Sequence, residues 1–236
     1  IDIENKDIVL AMVQSLSQKE YPEDTFKSFG LAIFDECHHL GAEIFSRSMS
    51  KVASKYMLGL SATPNRKDGL RKVFEWYIGP MVYSTKTEHN DFIETRVYEY
   101  YSDDESYSKE EVLFNGKQCL PRMINNVCNY EPRKKYIYDL VETEYLNQRK
   151  ILILCDRREY LVWTMNQFNH HYKGSAGLYV GGMKPTELRD SQEKDIILGT
   201  FSMASEGMDI PKLNTCILGS PKSDVEQSVG RIFREK

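Results

Sequence analysis

Side chains that can handle phosphate lie near both ends of this sequence. Asp35 and Glu36 directly follow the apolar run at residues 31–34, and Arg231 and Arg234 stand three residues apart near the end. If the apolar run is a strand of a parallel sheet, the acids lie at its carboxyl edge, where Asp35 can hold Mg²⁺ and Glu36 can activate water. Three residues are nearly one helical turn, so the two guanidiniums share a helix face and suit phosphoryl oxygens. The combination predicts hydrolysis of a nucleoside triphosphate.

Both halves of this pattern have ordinary alternatives when they are taken alone. An Asp-Glu pair after a strand is common on protein surfaces, and two arginines at this spacing also occur on exposed amphipathic helices. Because the acids and the arginines occur in one chain, we favour the phosphate-handling interpretation for both pairs.

The segments that would position the acids alternate between apolar and polar. Apolar runs at residues 8–13, 31–34 and 56–60 predict strands, and the stretch from about 41 to 54 predicts a helix between the last two. Near-continuous apolar strands separated by helices are typical of a parallel sheet that is covered on both faces. We therefore expect an α/β fold over residues 1–85.

The same alternation returns from about residue 122 to the end. Helices are predicted over 133–148 and about 158–170, and strands at 151–155, 178–180, 195–200 and 214–219. Between the two α/β regions lie residues 86–121, where the tyrosine-rich segment 98–101 predicts a crossing strand. The acidic, serine-rich run that follows it predicts a solvated linker or small insertion. The tyrosines of that strand are candidates for base stacking, although their spacing favours packing on a half-buried strand.

Composition excludes several classes of protein. No stretch approaches the roughly 18 apolar residues of a membrane span, so no membrane partner is expected. The five cysteines lack CxxC spacing, which favours reduced thiols in an intracellular compartment and argues against a metal site at Cys37 and its neighbouring histidines. A net charge of −4 argues against a protein that coats duplex DNA, but it allows a motor that grips a strand in a local groove.

Residues 35–38 have the form Asp-Glu-Cys-His, and a Ser-Ala-Thr triplet at 61–63 follows the next predicted strand. In this order the two motifs resemble those of the superfamily 2 DExH helicases. The resemblance implies a magnesium and nucleotide ligand at Asp35, the catalytic base at Glu36, and coupling of hydrolysis to movement through His38, Ser61 and Thr63.

The segments at residues 39–45 and 64–69 are similar to the XPB-like branch of that family and to its relatives in large DNA viruses, including the poxvirus transcript-release helicase. Gln14 and Ser15 look like the strand-contacting motif of this branch, in which polar groups contact backbone phosphates. A plain helix start explains Gln14 and Ser15 equally well.

The second α/β region carries further motifs of the same family at residues 200–211 and 227–234. The resemblance implies contact with the nucleic-acid backbone at Thr200 and at Arg157, which follows the strand at 151–155. It also implies nucleotide contacts at Gly207, Asp209 and Gln227, and arginine fingers at Arg231 and Arg234.

The resemblance therefore implies an α/β fold of two RecA-like parallel-sheet lobes, with ATP hydrolysed where the lobes meet. The first lobe would occupy residues 1–85, a linker or insertion 86–121, and the second lobe 122–236. No Gly-x-x-x-x-Gly-Lys-Ser/Thr phosphate loop occurs in the sequence. We expect the first lobe to be incomplete at its N-terminus, and these residues to be an inactive portion of a longer helicase.

The implied function is an ATP-dependent and Mg²⁺-dependent helicase or translocase that acts on DNA, or alternatively on RNA, in transcription, repair or replication. Its partners would be the transcription or repair machinery, in a nucleus or, for a viral protein, in a viral factory or virion. Two alternatives stay open: a non-catalytic RecA-like scaffold that binds nucleic acid or a partner, and a motor subunit of a restriction or repair complex.

Overall fold

The computed structural model describes residues 1–37, 42–52, 54–61, 71–85, 94–205, 208, 210, 212–222 and 225. The chain divides into two compact units, Ile1–Glu94 and Thr95–Lys236, which are called unit 1 and unit 2 below. The division falls inside the segment that the sequence predicts as a linker, and the finer boundaries at 85 and 122 stay predictions. No helix in the described ranges is long and apolar enough to cross a membrane.

Unit 1 contains two parallel strands and three helices among its described residues. In chain order these are α1 (Val13–Gln18), β1 (Leu31–Phe34), α2 (Ala42–Met49), β2 (Tyr56–Gly59) and α3 (Arg71–Tyr77). Leu31 of β1 lies opposite Tyr56 of β2, and Phe34 lies opposite Gly59. The strands predicted at 31–34 and 56–60 are confirmed, as is the helix between them, although that helix is shorter than expected.

The strand predicted at residues 8–13 is wrong. Ile8 and Leu10 are 83% and 94% exposed, and the segment 8–12 joins no strand ladder in the structure. The chain instead turns into α1 at Val13, because Leu16 is buried there and the Ser48 hydroxyl donates to the Val13 carbonyl at 3.1 Å. Tertiary contacts with α2 therefore override the local apolar run.

The two-stranded sheet of unit 1 is covered on one face. Phe34 packs into a buried cluster with Cys37, Met49 and Phe74. Side chains alternate along a strand, so the neighbours of Phe34 point the other way, and Leu31 and Ile33 are 53% and 56% exposed. The expectation of a sheet covered on both faces is therefore wrong for the described part of unit 1.

Unit 2 is built on a four-stranded parallel sheet with the strand order β4-β5-β3-β6. Its elements are α4 (Glu105–Ser108), α5 (Leu120–Asn129), α6 (Glu131–Leu146), β3 (Ile151–Leu154), α7 (Arg158–His171), β4 (Ala176–Tyr179), α8 (Pro185–Gln192), β5 (Ile196–Gly199), α9 (Phe201–Ser205) and β6 (Thr215–Leu218). The four predicted strands and both predicted helices of this region are confirmed, with shifts of a few residues at their ends.

The central strands of unit 2 are covered on both faces. Ile151 and Ile153 of β3 lie in one buried cluster with Phe168 of α7, whereas Leu152 lies in a second cluster with Phe201 of α9. All four residues of β3 have no exposed side-chain surface. Here the sequence expectation of a doubly covered parallel sheet holds.

The segment before α5 lacks the strand that the sequence predicts near residues 98–101. It joins no strand ladder, and the centroid of the Tyr100 ring lies 5.5 Å from that of Tyr107 and 5.6 Å from that of Tyr136. Tyr98 and Tyr101 are 51% and 81% exposed. Aromatic packing, rather than a strand ladder, therefore fixes this segment on unit 2.

Candidate functional site

The acidic loop of unit 1 follows β1 and is hydrogen bonded to the chain that follows β2. Beyond the ladder of the two strands, the Leu60 amide donates to the Phe34 carbonyl at 2.9 Å, and the Cys37 amide donates to the Leu60 carbonyl at 3.1 Å. Asp35 and Glu36 are held between these two hydrogen bonds, at the same sheet edge as Ser61. The predicted acids and one predicted coupling residue therefore lie at the same sheet edge.

The backbone of Glu36 is in the left-handed region, with φ of 47°. Its amide donates to Asp35 Oδ1 at 3.0 Å, so the two acids form a tight local turn. Such a conformation costs a residue with a side chain about 1–3 kcal/mol and is concentrated at functional sites. Asp35 is exposed and Glu36 is half-buried, which leaves the first carboxylate available to a hydrated cation.

Cys37 completes the loop as a buried, neutral thiol. Burial raises its pKa, and the nearby carboxylates of Glu36 and Asp35 raise it further. A Cβ added at Gly59 would lie 2.9 Å from Ile78 Cδ1 and 3.3 Å from Cys37 Sγ. The glycine that ends β2 therefore lets the acidic loop pack closely against the strand.

The oxygen donors of this loop suit Mg²⁺, a hard cation that is bound through one or two carboxylates and water. Asp35 would be the residue that holds it. The described ranges contain no group of three or more metal-binding side chains. His38 and Thr63, the other predicted coupling residues, lie outside the described residues.

Gln14 and Ser15 lie in the first turn of α1, so the structure shows the plain helix start that the sequence left as an alternative. Gln14 is exposed and Ser15 is half-buried. The helix is fixed at its C-terminal end by Lys51, whose ammonium donates to the Lys19 carbonyl at 2.8 Å. The position is compatible with a phosphate contact at Gln14, and that role stays a prediction.

Three loops of unit 2 are joined at the carboxyl edge of its sheet by Asp156, which follows β3. Its amide donates to Ser220 Oγ at 3.3 Å, beyond β6. Its carboxylate accepts from the Phe201 amide at 3.3 Å, at the start of α9, and from Lys222 Nζ at 3.1 Å. The sequence places an acid after the central strand but does not show that it joins three loops.

Arg157, the predicted strand-contacting residue after β3, is turned toward α5. Its guanidinium donates to the Pro121 carbonyl at 3.0 Å, to the Asp156 carbonyl at 3.2 Å and to Asn125 Oδ1. These bonds use three of the five N–H groups of an arginine. Two remain for a further acceptor, so the loop is firmly placed and retains some donor capacity.

Thr200 follows β5 at the same edge as Arg157. Its hydroxyl is 3.3 Å from that of Ser202, so two hydroxyls stand together at the start of α9. Hydroxyl groups commonly contact phosphate oxygens of nucleic acids. The structure therefore brings the two predicted nucleic-acid contacts of unit 2 to one edge of its sheet.

The predicted nucleotide and finger residues of the second region lie outside the described residues; they are Gly207, Asp209, Gln227, Arg231 and Arg234. Met208 and Ile210, which alternate with the first two, are 1% and 7% exposed. These two side chains are therefore part of the core of unit 2.

Two family models match the chain. Residues 1–66 match the model described as type III restriction enzyme, res subunit, and residues 132–236 match the helicase conserved C-terminal domain. The first model therefore includes the acidic loop, and the second includes the sheet of unit 2.

The chain is similar to helicases of viruses and, over a shorter stretch, to a DNA translocase. "Putative ATP-dependent RNA helicase L396" of Acanthamoeba polyphaga mimivirus is 39% identical over 97% of this chain and 45% of its own length. "Probable helicase D10" of Escherichia phage T5 is 27% identical over 96% of this chain and 50% of its own length. The "DNA 3'-5' translocase XPB2" of Sulfurisphaera tokodaii is 44% identical over 28% of this chain and 15% of its own length. The chain thus spans about half the length of the first two relatives.

Solved structures share the fold at low sequence identity. Mss116p bound to single-stranded RNA and AMP-PNP matches with a TM-score of 0.54 and 12% identity, over 94% of this chain and 43% of that one. Dbp5 of S. cerevisiae, bound to RNA and ADP BeF3, matches with a TM-score of 0.53 and 10% identity, over 89% of this chain and 51% of that one. These similarities define a protein of RecA-like parallel-sheet α/β architecture.

Both regions of the chain thus match family models, and the chain as a whole is similar to viral helicases. The resemblance that the Asp-Glu-Cys-His and arginine motifs carry, including its XPB-like and viral branch, is thereby confirmed.

Proposed function

We propose that the whole protein is an ATP-dependent helicase or translocase that moves along nucleic acid. The observation that carries the proposal is the acidic loop of unit 1, where Asp35 and Glu36 lie at the carboxyl edge of a parallel sheet, the edge at which Ser61 follows the neighbouring strand. The left-handed backbone of Glu36 supports a catalytic role, because strained residues persist where function needs their geometry.

In this proposal Asp35 holds Mg²⁺, which supplies positive charge to the phosphates of ATP when it is bound. Glu36 orients and deprotonates the attacking water. The second RecA-like region contributes Arg231 and Arg234 as fingers on the transferring phosphoryl group. Gly207, Asp209 and Gln227 would contact the nucleotide from the same region, so hydrolysis requires residues from both regions of the chain.

Movement along a strand would use the exposed polar groups of both units. Thr200 and Arg157 of unit 2, with Gln14 and Ser15 of unit 1, are the proposed contacts to the phosphate backbone. His38, Ser61 and Thr63 would couple these contacts to the acidic loop. Repeated domain closure around ATP, followed by release after hydrolysis, then becomes stepping along the strand.

We propose DNA as the strand, because the short archaeal match carries the name of a DNA translocase. The mimivirus relative is named as an RNA helicase, which makes RNA the competing substrate. ATPase assays with duplex DNA and duplex RNA of the same sequence separate the two, since only the cognate duplex should stimulate turnover strongly. Work beside transcription or repair machinery, in a nucleus or a viral factory, belongs to the same proposal.

The decisive variant is Glu36→Gln in the whole protein. The amide keeps the shape of the side chain but cannot take a proton, so we expect ATP turnover to fall by roughly a hundredfold or more while ATP binding persists. Steady-state phosphate release and binding of a fluorescent ATP analogue measure the two properties. Glu43→Gln on α2 is the matched control, because that exposed carboxylate pairs with Arg47 at 2.7 Å.

Wild-type turnover in Glu36→Gln would show that Glu36 is not the base. A wild-type protein that binds nucleic acid without hydrolysing ATP would instead favour the non-catalytic scaffold. The 236 residues contain no Gly-x-x-x-x-Gly-Lys-Ser/Thr segment, so we expect them not to hydrolyse ATP on their own. The ATPase and ATP-binding assays therefore use the whole protein.

A motor subunit of a restriction or repair complex is the second candidate. The match of residues 1–66 to a restriction-enzyme subunit model favours it. Purification of the protein from its native source distinguishes the two, because a motor subunit should co-purify with a nuclease and an independent helicase should not.

A further inference from the structure

A short hairpin precedes α5 and has no assigned role. Val112 and Gln118 pair as an antiparallel bridge, and the Leu113 amide donates to the Lys117 carbonyl at 2.7 Å. The turn closes when the amide of Gly116, whose φ is 76°, donates to the Leu113 carbonyl at 2.9 Å. The apex at residues 113–117 is therefore a defined turn held by three backbone contacts.

The base of the hairpin is fixed to unit 2. The amide of Cys119, which is 7% exposed, donates to the Glu111 carbonyl at 2.7 Å. The Glu111 carboxylate accepts from Asn126 of α5 at 3.3 Å and lies 3.2 Å from Lys109 Nζ. Hydrogen bonds from Asn126 and Lys109 lower the pKa of Glu111, which keeps this anchor ionised.

The apex exposes an aromatic ring that nothing in the described residues covers. Phe114 is fully exposed to solvent, and Leu113 beside it is 43% exposed. The apex sequence, Leu-Phe-Asn-Gly-Lys, contains one cation and no acid. Leu113 and Phe114 thus form an exposed apolar tip on an anchored turn, and its aromatic ring is free to stack on a planar partner.

The position of the hairpin indicates its ligand. The hairpin runs directly into α5, and the first turn of α5 contains Pro121, whose carbonyl accepts from Arg157 at 3.0 Å. Asn125 of the same helix also binds the Arg157 guanidinium. The base of the hairpin is thus tied to the strand-end loop that carries a proposed nucleic-acid contact, and the apex adds the cation Lys117 beside its ring.

We propose that Phe114 stacks on an unpaired base of the bound nucleic acid. Aromatic rings stack on every base, so such a contact tolerates any sequence, as a protein that moves along a strand requires. Lys117 would meet a neighbouring phosphate. The proposal rests on the proposed function, because it needs a nucleic-acid strand at this edge of unit 2.

The test compares Phe114→Ala and Phe114→Tyr in the whole protein. The probes are a fluorescein-labelled oligothymidylate, the matching oligouridylate, and an abasic strand of the same length that retains every phosphate. We expect Phe114→Ala to weaken binding to the base-containing strand by about tenfold and binding to the abasic strand hardly at all. Phe114→Tyr should bind like the wild type, because the ring is retained.

Leu146→Ala is the matched control, since Leu146 is an exposed apolar residue of unit 2, 63% exposed, at the end of α6 that leads into the amino end of β3. It should leave the affinity for every probe unchanged. Thermal unfolding of each variant should match the wild type, because neither side chain is packed in the core.

The proposal is wrong if Phe114→Ala binds oligothymidylate and oligouridylate as the wild type does, or loses affinity equally for the abasic strand. A change from dimer to monomer in Phe114→Ala, with unchanged oligonucleotide affinity, would make the apex an interface between copies. If wild-type protein neither binds the strands nor hydrolyses ATP, the proposed function itself fails, which is a different result from failure at Phe114 alone.

Discussion

Two parallel sheets of similar sequence have different surroundings in this chain. β1 reads Leu-Ala-Ile-Phe and β3 reads Ile-Leu-Ile-Leu, yet Ile33 of β1 is 56% exposed whereas every residue of β3 is fully buried. Unit 2 supplies helices to both faces of its sheet, and the described part of unit 1 supplies them to one. A run of apolar residues thus indicates a strand, but the elements that reach each face decide how much of it is buried.

The largest test of this contrast is to express the two units separately. Residues 95–236 alone should unfold cooperatively in urea, because they contain both buried clusters of the larger sheet. Residues 1–94 alone should show no cooperative transition, because the buried cluster of their described part is small and consists of Phe34, Cys37, Met49 and Phe74. Circular dichroism during urea titration measures both. A sharp transition in residues 1–94 would show that one covered face is enough.

Matched truncations on the two sheets should differ strongly. Leu152→Ala removes a fully buried side chain of β3 and should destabilise unit 2 by about 3 kcal/mol, because it leaves a cavity. Ile33→Ala on the exposed face of β1 should change stability by less than about 0.5 kcal/mol. Hydrogen exchange of the strand amides in the whole protein reports each unit separately. Equal losses would show that a further part of the protein covers β1.

The loops at the two sheet edges should also respond differently. Asp156→Ala removes the acceptor of the Phe201 amide and the partner of Lys222, so the opening free energy of the loop after β5 should fall by roughly 1 kcal/mol. Asp35 accepts a hydrogen bond only from the amide of the adjacent Glu36 among the contacts described above. Asp35→Asn should therefore leave the hydrogen-exchange rates of the β1 amides unchanged. The measurement is the hydrogen-exchange rate of the Phe201 backbone amide. If Asp156→Ala exchanged at the wild-type rate, Asp156 would not be the residue that links the loops.

The alternation of apolar and polar segments predicted most of unit 2, because its strands are short, continuous apolar runs between long helices. The prediction failed at residues 8–13, where an equally apolar run pairs with no strand among the described residues and α1 begins at Val13 instead. It also failed near Tyr100, which packs against other aromatic rings rather than pairing in a sheet. Pairing and ring packing depend on residues distant in sequence, which a local pattern does not contain.

Of the candidate site, sequence placed Asp35, Glu36, Arg157 and Thr200 at strand ends, which follows from the strands themselves. The sequence did not predict the left-handed backbone of Glu36 or the contacts by which Asp156 joins three loops. A glutamate in a sequence gives no indication that its φ is positive, because residues other than glycine rarely adopt that conformation. Hydrogen bonds among three loops can be inferred only once the strand order is known.

The backbone at position 36 also has a consequence for engineering. Glycine enters the left-handed region without a clash from a Cβ atom, so Glu36→Gly should relieve the turn and make the folded chain more heat-resistant. The same change deletes the proposed base. A screen that ranks variants of this protein by melting temperature alone would therefore retain Glu36→Gly and enrich inactive molecules, and at this position thermostability and turnover have to be selected together.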